Sequence, residues 1–344
     1  MAGLHRLLEF MQLFLRKYIL SVLLFAVVGL AVAFPQPVSG DCFWSGFIGD
    51  WLVKLSAAII FFLQGLSLPT SSLMAGCRPL RLHCFVLFWN FISFPVVTFL
   101  LLYPIARFLS SELLLGFGVL AFLPTTIASA TAYTTISGGH IANAIVSTVL
   151  SNLLAVFVVP VVSIIYFKLG FSVDIPLGKV LLNLIGILVV PLALGQIAQR
   201  LLRLNRKGAP KFTKQLSSGF ILLILYMAFA NNVHTGIFEQ LSFRLLAVTL
   251  FSVVLLLLVT SVLVWSSAFW IKLEMSRRIA AFYCGSQKSL AAGLPLVSSI
   301  LLSIPDMKDT GIILIPLLFF HSLQMLLAGI ISSQLKPDNY AMES

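Results

Sequence analysis

Charge is what this sequence has least of. Only 10% of its 344 residues are Asp, Glu, Lys or Arg, against roughly 25% in a soluble domain. The 11 acidic residues all lie near or outside the ends of the long apolar stretches. That excludes a proton or sodium path built on a carboxylate at mid-membrane. Cysteine is also sparse. Cys42, Cys77, Cys84 and Cys284 form no CxxC or other metal spacing, so neither a disulfide framework nor a zinc site follows, and small apolar fillers are expected. No GxxxxGK[ST] phosphate loop, HExxH helix or GxSxG elbow occurs, and no pair of intramembrane aspartates. Without a nucleophile–base–orienter set, the chain is expected not to be an enzyme and to need no organic cofactor.

What fills the chain instead is apolar: 60% of residues, with a mean hydropathy of +1.07. Ten stretches, 17–35, 47–68, 84–106, 112–136, 142–167, 179–199, 216–233, 245–271, 279–304 and 311–333, approach or exceed the roughly 20 residues that cross a bilayer core. Only helices and closed barrels satisfy their backbone in lipid, and the alternating pattern of a barrel is absent. The fold class is therefore all-α and integral to the membrane, with ten transmembrane helices. The first stretch is too long for a cleaved signal and reads as a retained helix. No transit peptide is evident, so a bacterial inner membrane is the expected home.

The net charge of +11 does not point to nucleic acid, because its placement follows the membrane. With a cytoplasmic N-terminus, fifteen Lys and Arg fall on the cytoplasmic side and five outside. This excess matches the positive-inside rule and places both termini in the cytoplasm. The basic run RLLRLNRKGAPKFTK (200–214) then lies beside anionic lipid as a topology anchor.

That run also divides the chain. Two five-span halves, 17–167 and 179–333, would enter the membrane from opposite sides, the inverted-repeat plan of many secondary transporters. Helix breakers support the division. The fourth span carries LPTTIASATAYTTISGGH (123–140), and the ninth carries CGSQKSLAAGLP (284–295). Counted from 17 and 179, Pro124 and Cys284 lie 107 and 105 residues into their halves. Paired interruptions expose carbonyls, N–H groups and half-helix ends near the midplane. The plainer alternative is that Gly, Ser and Thr only permit close helix packing.

Lys288 is the one cation expected deep in the ninth span. A lysine at mid-bilayer costs about 2.5–3.5 kcal/mol and marks a functional candidate, either a proton-exchanging base or a fixed cation. His321 and Gln324, three residues apart in the tenth span, face one side. They, with Asn90, Asn143, Thr148 and Asn152, serve as ligands or as interhelical hydrogen-bond partners.

AFYCGSQKSLAAGLPL followed by IPLLFFHSLQMLLAGIISSQLK, with FFLQGLSLP (61–69) and PLALGQIAQR (191–200), resembles the bile acid:sodium symporter superfamily. The likeness is to the branch with Lys in the ninth-helix motif and runs over almost the whole chain. It implies a single transmembrane unit over 17–333, with a panel domain of spans 1, 2, 6 and 7 and a core domain of spans 3–5 and 8–10. Helices 4 and 9 of the core are broken and cross. It also implies a sodium ion, as coupling ion, near Asn90, Ser129, Thr148 and Gln287. Thr131, Ser286, Ser289, His321 and Gln324 complete the candidate ion or substrate site. Tyr283 stands where the family has a glutamate bridging two sodium ions, and Lys288 stands beside the retained glutamine. On this resemblance Lys288 replaces one sodium ion as a tethered cation. The expected function is secondary active transport of a small organic anion by alternating access, driven by sodium or protons or independent of sodium. The rival class is a non-transporting regulator of ion homeostasis on a transporter scaffold, which long cytoplasmic tails would favour. The tails here read as short.

Overall fold

The computed structural model describes residues 19–35, 46–67, 76–171, 177–202, 211–234, 242–302 and 310–335. Cys42, both chain ends and the centre of the basic run at 203–210 lie outside the described residues. Within them every regular element is a helix. In chain order these are α1 (Ile19–Ala33), α2 (Gly46–Ser67), α3 (Leu80–Leu102), α4 (Ser111–Phe122), α5 (Ile127–Ile136) and α6 (Ile141–Phe171). There follow α7 (177–201), α8 (Lys211–His234), α9 (Phe243–Trp270), α10 (Met275–Ser286), α11 (Leu290–Leu301) and α12 (Thr310–Gln334). Seven helices are individually long and apolar enough to cross a membrane, and the bent pair α4–α5 makes an eighth. The chain is a multi-pass membrane protein.

Local sequence accounts for where the helices start, stop and deform. Ser110 and Ser242 cap α4 and α9 by accepting the Leu113 and Leu245 amides at 3.4 and 3.2 Å, the role short hydroxyl side chains serve at helix starts. Pro124 stops α4. A residue before proline is pushed out of the helical region, and Leu123 accordingly sits at φ −63°, ψ 148°. Inside α3, residues Trp89–Ser93 form a π turn in which the Phe94 amide reaches back to the Trp89 carbonyl. In that register the Asn90 carbonyl would need an amide from residue 95, which is proline and has none. An acceptor is thus left open at a buried position in the middle of the helix.

The tightest helix pair is α2 with α7. A Cβ on Gly65 would overlap the Leu192 carbonyl, and one on Gly195 would overlap the Phe62 carbonyl. These two glycines let the backbones touch, the small-residue packing that holds helices together in lipid. Gln196 Nε2 donates to the Gly65 carbonyl across the same seam. Elsewhere α12 is the most enclosed spanning helix, with 72% of its apolar window buried. Large side chains such as Leu100 and Val262 are exposed on the outer surface, where lipid tails take the place of a protein core.

Candidate functional site

Two interrupted helices meet at the centre of this bundle. In the first, α4 and α5 diverge by 59° across Leu123–Thr126. In the second, α10 ends at Ser286 and α11 begins at Leu290, and Gln287 is extended at φ −95°, ψ 149°. The two gaps touch. The Ser289 amide donates to the Pro124 carbonyl at 2.8 Å, and Ser129 Oγ donates to Gln287 Oε1 at 2.7 Å. Ser289 also caps α11 by accepting the Ala292 amide at 3.1 Å.

Lys288 is at the crossing and fully buried. Its Nζ donates to three backbone carbonyls: Asn90 at 3.0 Å, Ala121 at 2.9 Å and Leu123 at 2.8 Å. An ammonium has three donors, and all three are used. Ala121 and Leu123 end α4, where carbonyls lack helical partners and carry the negative end of the dipole. The Asn90 carbonyl is the one Pro95 leaves open. The Phe94 ring lies 4.0 Å from Nζ, close enough for a cation–π contact. Three charge-assisted bonds at about 1.5–3 kcal/mol each outweigh an insertion cost of about 2.5–3.5 kcal/mol. The charge is therefore supported at this depth.

The backbone of the same residue is held from the other side. Gln324 Oε1 accepts the Lys288 amide at 2.7 Å, and Gln324 Nε2 donates to the Lys288 carbonyl at 2.7 Å. One side-chain amide thus pairs both the N–H and the C=O of Lys288. Gln324 Nε2 also lies 3.0 Å from His321 Nδ1, which places the neutral imidazole proton on Nε2. His321 and Gln324 do share a face, and that face meets the break.

The other candidate residues divide between the crossing and its surroundings. Asn90 Nδ2 donates to Ser151 Oγ at 3.1 Å and to the Cys284 carbonyl at 3.2 Å. The Thr125 amide shares Ser151 Oγ at 3.3 Å, and Asn152 Nδ2 donates to the Thr125 carbonyl at 2.8 Å. Tyr283 stacks on Tyr133 with centroids 5.8 Å apart and is 2.9 Å from Ser137 Oγ. Thr131, Thr148 and Ser286 hydroxyls bond back to carbonyls of their own helices, at 2.7, 2.9 and 2.7 Å. Asn143 pins the Gly76 and Arg78 carbonyls instead, at 2.7 and 2.8 Å. Cys284 Sγ is buried, 3.7 Å from the Ala144 carbonyl.

The four side chains named for a sodium ion are engaged in different ways. Ser129 and Gln287 Oε1 bond each other, and Thr148 bonds its own helix. Among the four residues only Asn90 Oδ1 is a buried oxygen without a protein partner. Among the described residues no three His, Cys, Asp or Glu side chains lie close enough to hold a metal. A sodium ion favours several converging oxygens: Asn90 Oδ1 is open, and the Ser129 and Thr148 oxygens donate here without accepting, so each keeps lone pairs that a cation could use. A cavity of about 10 Å³, lined in part by Ser261, Tyr283, Ser286, Gln287 and Gln324, adjoins the break. That is about the room of one water.

Three participants escaped sequence reasoning. Backbone carbonyls, the main acceptors here, carry no residue signature, although Pro95 marks one of them. Phe94 looked like any other apolar residue. Gln64 of α2 donates to the Ala291 carbonyl at 3.1 Å. That carbonyl is open because its helical partner would be Pro295, so a proline was again the available signal.

The model of the SBF-like CPA transporter family (DUF4137) matches residues 19–337. YfeH of Escherichia coli (strain K12), named provisionally as a symporter, is 30% identical over 293 residues, covering 83% of this chain and 84% of its own. Sodium/bile acid cotransporter 7 of Danio rerio is 28% identical over 294 residues, covering 83% and 84%. The Pseudomonas aeruginosa protein PA2026, uncharacterized by name, is 28% identical over 306 residues, covering 87% of each chain.

Proposed function

Because the chain belongs to the SBF-like CPA transporter family, we propose that it is a secondary transporter moving a small organic anion by alternating access. The family is one of transporters and not of enzymes. The observation that carries the reading is the contact between two broken helices, Ser289 to Pro124 and Ser129 to Gln287. Interrupted helices that face each other near the midplane are the usual architecture of a carrier's binding site. An anionic solute is favoured by chemistry. The starts of α5 and α11 carry the positive ends of their dipoles, and Lys288 adds a full positive charge at the crossing.

In this reading the ten spans are the seven long helices, the bent pair α4–α5, the apolar α1 and the broken pair α10–α11. They form two inverted halves, with panel and core domains as the resemblance implies. The crossing belongs to the core, and Gln64 to Ala291 is a contact between panel and core. Both termini are on the cytoplasmic side of a bacterial inner membrane. His321, Gln287, Ser286, Ser289 and Gln324 line the core side of the solute path, with Asn90, Ser129, Thr131, Thr148 and Tyr283 around them.

Reconstitution into proteoliposomes tests the proposal. Saturable accumulation of an organic anion above equilibrium is expected when a gradient is imposed, with Na⁺ and pH varied separately. If none of a broad anion panel accumulates under any gradient, the carrier reading fails and a regulatory role takes its place.

A further inference from the structure

The acceptors around Lys288 are notable for being backbone. Three carbonyl oxygens, from residues 90, 121 and 123, converge on one point at 2.8–3.0 Å, with the face of Phe94 closing a further side. Each oxygen is open for a reason independent of Lys288. Pro95 cancels the helical donor for Asn90. The other two are at the end of α4, where Pro124 prevents the helix from continuing. Their convergence does not need the lysine side chain to set it, because the π turn of α3 and the end of α4 position the carbonyls. A ring of carbonyl oxygens is what a protein uses to replace the hydration shell of a monovalent cation. Among the side chains that the resemblance assigns to sodium, by contrast, Ser129 and Gln287 bond each other and Thr148 bonds its own helix.

We propose that the Asn90, Ala121 and Leu123 carbonyls with Phe94 form a monovalent-cation site, and that the Lys288 ammonium is its permanent occupant. The chain supplies its own cation at the helix crossing, and this site needs no ion from solution. The inference rests on the carrier reading for its meaning, since it makes the crossing independent of sodium in transport. Its test does not depend on that reading. The stem of Lys288 runs from the α10–α11 gap into the cradle, so truncation to alanine removes the equivalent of n-propylammonium. That cation is the matched probe, with Na⁺ and K⁺ as smaller ones and choline as a control too bulky for the cradle.

Thermal unfolding of detergent-purified wild type and Lys288→Ala is measured in choline, sodium, potassium and n-propylammonium chloride at equal ionic strength. In choline the variant is expected to melt several degrees lower than wild type. Adding n-propylammonium or Na⁺ is expected to raise its melting temperature with the logarithm of concentration, as for a ligand bound to the native state. Wild type is expected to stay flat in the same titrations. Lys288→Met, which fills the stem without a charge, is expected to melt low and to gain nothing from any cation. The proposal is overturned if Lys288→Ala responds no more than wild type, or if Lys288→Met is rescued equally. If Lys288→Ala does not fold in choline, the yield of monodisperse protein expressed with each cation becomes the readout, and failure in all four salts also overturns it. A carrier that moved no anion would leave these melting curves unchanged, so the two ideas fail separately.

Discussion

Replacing Gln324 with methionine keeps the length of the side chain and removes both of its hydrogen bonds to Lys288. The two peptide groups it serves are buried in the break between α10 and α11, where no helical neighbour can reach them. A buried peptide group left without a partner costs about 1–3 kcal/mol, so the pair costs about 2–6 kcal/mol. At roughly 2–4 °C per kcal/mol for a chain of this order of size, Gln324→Met should lower the melting temperature by at least about 4 °C. Hydrogen exchange gives a local check. The Lys288 amide, protected by Gln324 Oε1, should exchange far faster in the variant, while amides in the middle of α12 keep their protection. Uptake in proteoliposomes should fall with it, because the break aims the ammonium. A melting shift below about 1 °C, with unchanged exchange at Lys288, would refute the reasoning. It would mean that water or a rearranged backbone already serves these groups.

Other outcomes follow from the same contacts. Gly65→Ala drives a methyl into the Leu192 carbonyl, and overpacking of this kind costs about 1–3 kcal/mol. Combined with Gly195→Ala the cost should be less than additive by melting temperature, since the first change already separates α2 from α7. Gln64→Leu leaves the Ala291 carbonyl open and should cost about 1 kcal/mol. Because this bond would tie panel to core, the transport rate should change more than anion affinity in an uptake assay. Thr131→Val removes a hydroxyl that bonds only within its own helix. It should change stability by less than about 0.5 kcal/mol, and a large loss of uptake would place the solute against it.

Much of the site was legible because breakers are loud in an apolar chain. Pro124 and the QKS stretch stood out against leucine, and their similar distances from residues 17 and 179 marked the places where α4–α5 and α10–α11 are interrupted. Lys288 stood out for its insertion cost. Legibility failed where the chemistry left the side chains. Nothing in the letters Ala121 or Leu123 announces an acceptor, since the relevant atom is common to every residue and becomes available only through the helix end. The Ser and Thr run at 125–137 misled in the opposite direction. Thr131, Thr134 and Thr135 spend their hydroxyls on their own helix, because a helical carbonyl three or four residues back is always within reach. The long helices matched the apolar stretches to within a few residues at most ends, because hydropathy alone sets where lipid-embedded helices can run.

The cradle and its occupant also impose an order on biogenesis. The three carbonyls belong to residues 90–123, while the ammonium arrives 165–198 residues later along the chain. As the nascent chain leaves the ribosome, the first half is threaded into the bilayer with three converging acceptors and no cation between them. On the proposal above, those acceptors would stay without their cation until the segment carrying Lys288 is inserted. A polypeptide truncated before residue 288 would therefore be a substrate for membrane quality control rather than a stable half-protein. Co-expression of the severed halves, in contrast, should restore assembly, since the cation can be delivered by either covalent connection or simple docking.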